Sequence, residues 1–322
     1  MPLARSETSQ AGDIAKAPMR RSSLPLASVA LCLMPARARA VTGTLTPDYG
    51  PALVLQSTQT TADAASGATV SLANGYELDA AYGFVAGDTL HVFLTGNLAK
   101  WIQLEGLIQH WYPIDMFLDT RPGGQNQLLP NNPTVAPYDA DMKNMAGLTF
   151  DPGFAADWWF CLEGNPSGET KLNAYEAELP TGGGGAGSYL GVADCGGPGV
   201  LSGGTSPFGI QVTLDDRNTS GVTNGCGPAL GAGVSTGIEW AIPLAAIGNP
   251  TGCIRICAFV ANGDHTQLFN QVLGPLPPGT CDLGPAPAVN FGAISGDQFF
   301  TLCPQATPTR RSSWGALKSI YR

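Results

Sequence analysis

Apolar residues recur along this chain with a period of two rather than 3.6. In Ile114–Thr120, Ile114, Met116 and Leu118 share one face of an extended segment, and Asp115, Phe117 and Asp119 share the other. Thr89–Thr95 alternates in the same way, with Leu90, Val92 and Leu94 on one face. Comparable strand signals lie at Ala52–Ser57, Tyr76–Tyr82 after an Asn74-Gly75 turn, Trp158–Glu163, Asn173–Leu179 and Phe208–Leu214. They continue at Gly237–Ile242, Cys253–Val260, Gln267–Leu273 and Gln298–Leu302. About ten short strands punctuated by Gly, Pro and Asn predict an all-β fold, an antiparallel sandwich of jelly-roll or immunoglobulin-like type. Strands and helices do not alternate, which disfavours a parallel α/β sheet. Pro243–Ile247 reads as a single helical turn, and long glycine-rich loops are expected at 121–148, 181–206 and 215–234.

Gly and Pro, at 42 and 26 of 322 residues, reinforce the loop-rich picture. The run Gly182–Gly187 has no Gly-Lys-Ser/Thr after it, so it reads as a connector and not as a phosphate loop. The ends carry a different signal. Met19-Arg20-Arg21, the apolar run Leu24–Met34 and Ala38-Arg39-Ala40 form the three parts of a secretory signal peptide, with cleavage expected after Ala40. Residues 1–18 then read as a misassigned upstream start. The apolar run is shorter than the ~20 residues a membrane span needs. Leu31 before Cys32 stands where lipidation needs a small residue. No second long apolar run follows, so no transmembrane segment is expected. Residues 41–304 are expected to form one domain and 305–322 a linker with a basic-aromatic tag. In that tag Trp314, Leu317, Ile320 and Tyr321 fall at helical spacing. It resembles the terminal tags of bacterial secreted surface proteins, which implies a sorting machinery as partner and a secreted or cell-surface location.

Charge narrows the partners. Between Val41 and Pro304 there are 6 Lys and Arg against 23 Asp and Glu, whereas residues 305–322 hold four basic residues and no acid. An acidic body repels nucleic acid and anionic lipid and suits cations; acidic surfaces also serve solubility. Cysteine use fits export. Cys195 with Cys226, and Cys281 with Cys303, are plausible bridges, and Cys253 and Cys257 stand too far apart on one strand to bond each other. The histidines His91, His110 and His265 lack ligand spacing with the cysteines, which argues against zinc.

Three kinds of chemistry remain. Calcium takes several carboxylate, amide and carbonyl oxygens from a loop. Asp115, Asp119, Asn126, Asp139 and Asp141 supply such oxygens at or beyond the end of one strand, with Asn144 beside them; Glu77 and Asp79 form a second cofacial pair. Acids that only cap turns give the same pattern. Sugars stack on exposed aromatics, and Trp101, Trp111, Tyr112, Tyr138, Trp158 and Trp159 are the candidates. Trp158 and Trp159 must face opposite sides of their strand, one in the core and one exposed. Gly233-Val234-Ser235-Thr236-Gly237 matches a nucleophile-elbow pattern with Asp264 and His265 downstream. A strand closed by Pro243 follows where that elbow requires a helix.

Several segments resemble family-9-like carbohydrate-binding modules and the related DOMON sandwiches. These are Asn74–Tyr82, Asp88–Asn97, Ile114–Thr120, the Glu-x-x-Ile-Pro strand Gly237–Leu244, and Ile254–Val260. The resemblance implies an antiparallel sandwich, structural calcium in many members and sugar binding on aromatics in some. Haem-binding relatives use Met and His ligands, and the three histidines have no Met partner at matching positions. The expectation is a secreted, non-catalytic module binding polysaccharide at the cell surface. A structural surface protein is the second expectation and an extracellular hydrolase the third.

Overall fold

The computed structural model describes residues 39–56, 77–97, 102–104, 107–109, 112–136, 142–165, 170–218, 233–280 and 282–303. Alternation along Ile114–Thr120 becomes register in space. Strand β6 (Ile114–Asp119) lies between β7 (Trp158–Gly164) and β13 (Ile254–Ala261), antiparallel to both. These are the middle of a nine-stranded sheet. On one side it continues through β8 (Lys171–Glu178), β9 (Gly187–Asp194) and β10 (Ser202–Gly203). On the other it continues through β14 (Gln267–Val272) and β15 (Asp282–Pro285), while β16 (Phe300–Leu302) pairs with the start of β13.

The second sheet has five strands in the order β1 (Val54–Leu55), β2 (Glu77–Ala86), β3 (Thr89–Asn97), β12 (Gly237–Pro243) and β11 (Gln211–Leu214). The two-stranded pair β4 (Ile102–Leu104) and β5 (Leu107–Gln109) stands apart from both. The protein is thus the antiparallel all-β sandwich that the periodicity predicts. Among the described residues its helical content is confined to short 3₁₀ turns, one of them Leu244–Ile247 at the expected place. Sheet edges are short: β1 and β10 have two residues each, β11 and β15 four. Short edges offer little backbone for pairing with another chain.

Between the sheets lies one apolar core. Leu90, Val92, Leu94, Ile238, Trp240 and Ile242 from the five-stranded sheet meet Ile114, Met116, Leu118, Phe160, Leu162 and Ile256 from the nine-stranded one. A second core covers the far face of the larger sheet. There Phe117, Trp159, Cys161, Tyr175 and Phe259 are roofed by Leu128, Met142, Met145, Phe150, Phe154 and Phe291, which arrive from loops. Ring centroids run Phe259–Phe117–Phe150–Phe154 at 5.7, 5.0 and 4.9 Å. Each fully buried Phe contributes about 1.5–3 kcal/mol of burial energy, so this roof is a core and not a decoration. The central strands are therefore buried on both faces although their sequences alternate.

Two local features explain parts of the sequence pattern. Glu239 of β12 is fully buried on the outer face of the smaller sheet, where its carboxylate accepts from Thr42 N (2.5 Å), Gly43 N (3.0 Å) and Tyr49 Oη (2.9 Å). The Glu-x-x-Ile-Pro motif thus staples the segment 42–49 onto the sheet. The Gly182–Gly187 run connects β8 to β9, and Gly183, Gly184 and Gly185 have φ of 77°, 76° and 100°, where L side chains are strained. A glycine-rich loop was expected over 181–206; β9 and β10 occupy much of it, because Gly187 and Gly191 sit within a strand whose pattern they interrupt.

Candidate functional site

An open cleft of about 1040 Å³ lies where β6 ends. Asp119, Arg121, Asn126, Asn249, Arg255 and Asn290 supply its polar wall, and backbone from 149–155 and 248–253 supplies much of the rest. The local sequence builds it in steps. Asp157 is buried and its Oδ2 accepts from Thr120 N (2.7 Å), Thr120 Oγ1 (3.2 Å) and Arg121 N (2.9 Å), which fixes the chain as it leaves β6. Gln125 and Ala156 then exchange backbone hydrogen bonds, each 2.9 Å. Asn126 Nδ2 donates to the carbonyls of Phe150 (3.2 Å), Asp151 (2.9 Å) and Phe154 (2.7 Å), so one side chain fixes a whole wall.

Charge in the cleft is paired but wet. Arg255 Nη1 lies 2.9 Å from Asp119 Oδ2, with Arg255 45% exposed. Arg121 Nη2 lies 2.5 Å from Glu178 Oε1 and its guanidinium sits 5.4 Å from the Trp158 ring centre. Burial raises the Asp119 carboxyl above its ordinary value, against the opposing pull of Arg255 and the Ala155 N–H. Hydrogen bonding to Glu178 is the main influence that raises Arg121. The cleft therefore presents amides, guanidinium groups and carbonyls on a fixed backbone.

The sequence-predicted calcium residues separate in space. Asp119 and Asn126 both line the cleft, but the guanidinium of Arg255 already serves Asp119 as counter-ion. Asp115, on the same strand face, is fully buried and accepts from Trp159 Nε1 at 2.7 Å, with His265 Nε2 at 3.1 Å. Asp139 and Asp141 lie outside the described residues. Asn144, which lies beside that set, donates to the carbonyl of Asp264 at 2.8 Å. Glu77 and Asp79 are buried together at the start of β2, where the register shifts between Leu78 and Ala80, and burial with the Asp79 charge pushes Glu77 up to about 8.

The predicted sugar platform is reshaped. Trp159 is 0% exposed inside the second core, and Tyr112 packs in the first core 4.7 Å from Phe269, so neither ring offers a stacking surface. Trp158, half-buried against the first core beneath Arg121, keeps part of its surface. Trp101, Trp111 and Tyr138 lie outside the described residues.

The expected Cys281–Cys303 bridge is corrected: Cys303 bonds Cys253, with Cα atoms 4.0 Å apart. The reason is register, because Ile254 pairs with Leu302 and the flanking residues 253 and 303 are brought together. Cys281 and Cys226 are outside the described residues, and Cys195 lies half-buried just after β9. The nucleophile-elbow pattern, disfavoured because a strand follows it, is followed by strand β12. Ser235 is exposed ahead of β12 in the smaller sheet, whereas His265 is buried in the second core, on the outer face of the larger sheet, and engages Asp115. Asp264 turns to Thr266 Oγ1 at 2.7 Å.

Fold and cleft together define a class: an antiparallel β-sandwich with an open polar cleft at one end of its central strands. No family model, no curated protein and no solved structure matches the chain. Among the described residues no helix is long and apolar enough to cross a membrane.

Proposed function

We propose that the protein is an exported, non-catalytic module that holds a polysaccharide in this cleft. The observation that carries the reading is the convergence of exposed Asn126, Asn249 and Asn290 with half-exposed Arg121 and Arg255 in one open groove. Hydroxyl-rich ligands are recognised by such fixed donors and acceptors, with an apolar or aromatic surface alongside. An open groove accepts a chain passing through, where a closed pocket takes only a chain end. Chemistry is not favoured there, because Asp119 is tied to a guanidinium and its acidic neighbour Asp157 is occupied by Thr120 and the Arg121 N–H. The acidic body, which disfavours nucleic acid, agrees with this choice of ligand.

Pull-down on a panel of insoluble polysaccharides, with affinity electrophoresis for soluble ones, tests the proposal. At least one polysaccharide should retain the protein, and Arg255→Ala should weaken retention about tenfold, the equivalent of one lost ~1.4 kcal/mol interaction. Failure on a broad panel overturns the proposal in favour of a purely structural surface protein.

A further inference from the structure

Three side chains from distant parts of the sequence meet inside the second core. Asp115 of β6 and Cys161 of β7 are direct cross-strand partners on the same face. His265, in the turn between β13 and β14, comes down onto them. Its Nε2 lies 3.1 Å from Asp115 Oδ1 and 3.9 Å from Cys161 Sγ, and one donor atom from each residue lies within 4.8 Å of the others. All three residues are fully buried.

We infer that Asp115, Cys161 and His265 form a binding site for one zinc-class divalent ion. Imidazole, thiolate and carboxylate are the donor set such ions take, at bond lengths of about 2.0–2.3 Å, which place tetrahedral donors roughly 3.5 Å apart. The observed 3.1 and 3.9 Å separations bracket that spacing. Calcium fits poorly, since it takes six or more oxygens and avoids sulfur.

Two independent observations point to a cation. Asp115 Oδ2 is buried with no hydrogen-bond partner, an expensive orphan that a metal would satisfy. Acidic side chains also outnumber basic ones: Asp115 is paired with His265, Glu163 is buried two residues from Cys161, and among the described residues no Lys or Arg forms an ion pair with either acid.

A cysteine-nucleophile triad is a poorer account. In a triad the nucleophile and the acid engage different ring nitrogens. Here Cys161 and Asp115 both face Nε2, while Nδ1 is buried without a hydrogen-bond partner. On binding, the Cys161 thiol proton leaves to solvent, and any second proton on His265 leaves with it. The ion then ties β6, β7 and the β13–β14 turn together.

Cobalt(II) titration of the metal-stripped full chain tests the site. The expected result is one equivalent bound, with a thiolate-to-cobalt charge-transfer band in the near ultraviolet. That band should vanish in Cys161→Ser and persist in Cys257→Ser, which removes a second buried thiol in the same core. Zinc at about a hundredfold excess over Kd should raise Tm of the wild type by roughly 5 °C. The rise should be lost in Cys161→Ser, whose folding is checked by circular dichroism. If Cys161→Ser does not fold, the wild-type band and zinc shift, with Cys257→Ser, still decide. Absence of the band in wild type, its survival in Cys161→Ser, or its loss in Cys257→Ser overturns the inference.

Discussion

Asp115 and Asp119 leave the same face of the same strand, about 13 Å apart along it. One ends in a closed core with an imidazole and a thiol, and the other ends in an open cleft with a guanidinium. The difference is made by what covers them. Loops bearing Phe150, Phe154, Phe291, Met142 and Met145 roof much of the outer face beyond Asp115. At Asp119 the chain turns away through Thr120 and Arg121, and the face opens to solvent. Identical residue types four positions apart thus acquire different chemistry from their surroundings: Asp115, 0% exposed, is sealed with an imidazole, whereas Asp119, 8% exposed, meets a half-exposed guanidinium at the cleft.

That contrast is broken most strongly by removing each acid in turn. Asp115→Ala leaves the Trp159 N–H and His265 without their acceptor inside the core, and is expected to cost about 3–5 kcal/mol in urea unfolding. Next is the Cys253–Cys303 disulfide, which closes a separation of 50 residues and pins β16 beside the cleft. Replacing both cysteines by serine should cost about 3 kcal/mol, measured in the same way. The open side relies on this covalent tie where the closed side relies on packing.

pH gives the third effect. An unfolded glutamate ionises near 4.5, while burial and Asp79 hold Glu77 protonated in the folded chain to about 8. Stability from this group is full below 4.5 and is lost as pH rises through about 8. Glu176, pushed up to about 7 by burial, and His265, whose burial is outweighed by Asp115 so that it too is raised, act with the same sign. Raising pH from about 5 to 8 should therefore destabilise the fold, and Glu77→Gln should flatten that slope. The smallest effect is at Asp119. Asp119→Ala is expected to cost only about 1 kcal/mol, because its partner Arg255 is 45% exposed, yet it should alter ligand retention.

Period-two alternation made the central strands legible from sequence. Ile114, Met116 and Leu118 face the inter-sheet core, and Asp115, Phe117 and Asp119 face away, as the pattern requires. β9 escaped because Gly187 and Gly191 dilute its apolar signal. The second core was hidden because its roof comes from segments such as 121–136 and 142–156, which have no period to read. Zinc-type ligation was set aside on spacing, but Asp115, Cys161 and His265 belong to separate strands and a turn, and sheet register alone unites them. The Cys253–Cys303 pair did leave a signal: each cysteine directly flanks an apolar strand end, and those two ends pair. The cleft was partly legible, since Asp119 and Asn126 were singled out, whereas Arg255, Asn249 and Asn290 come from segments far away in sequence.

Hydrogen exchange with and without an oligosaccharide of the best-retained polysaccharide tests the cleft most directly. Protection should appear in amides of 119–126, 149–155 and 248–255, the segments that wall the groove. Protection elsewhere, with those three segments unchanged, would contradict the assignment of the cleft as the binding site.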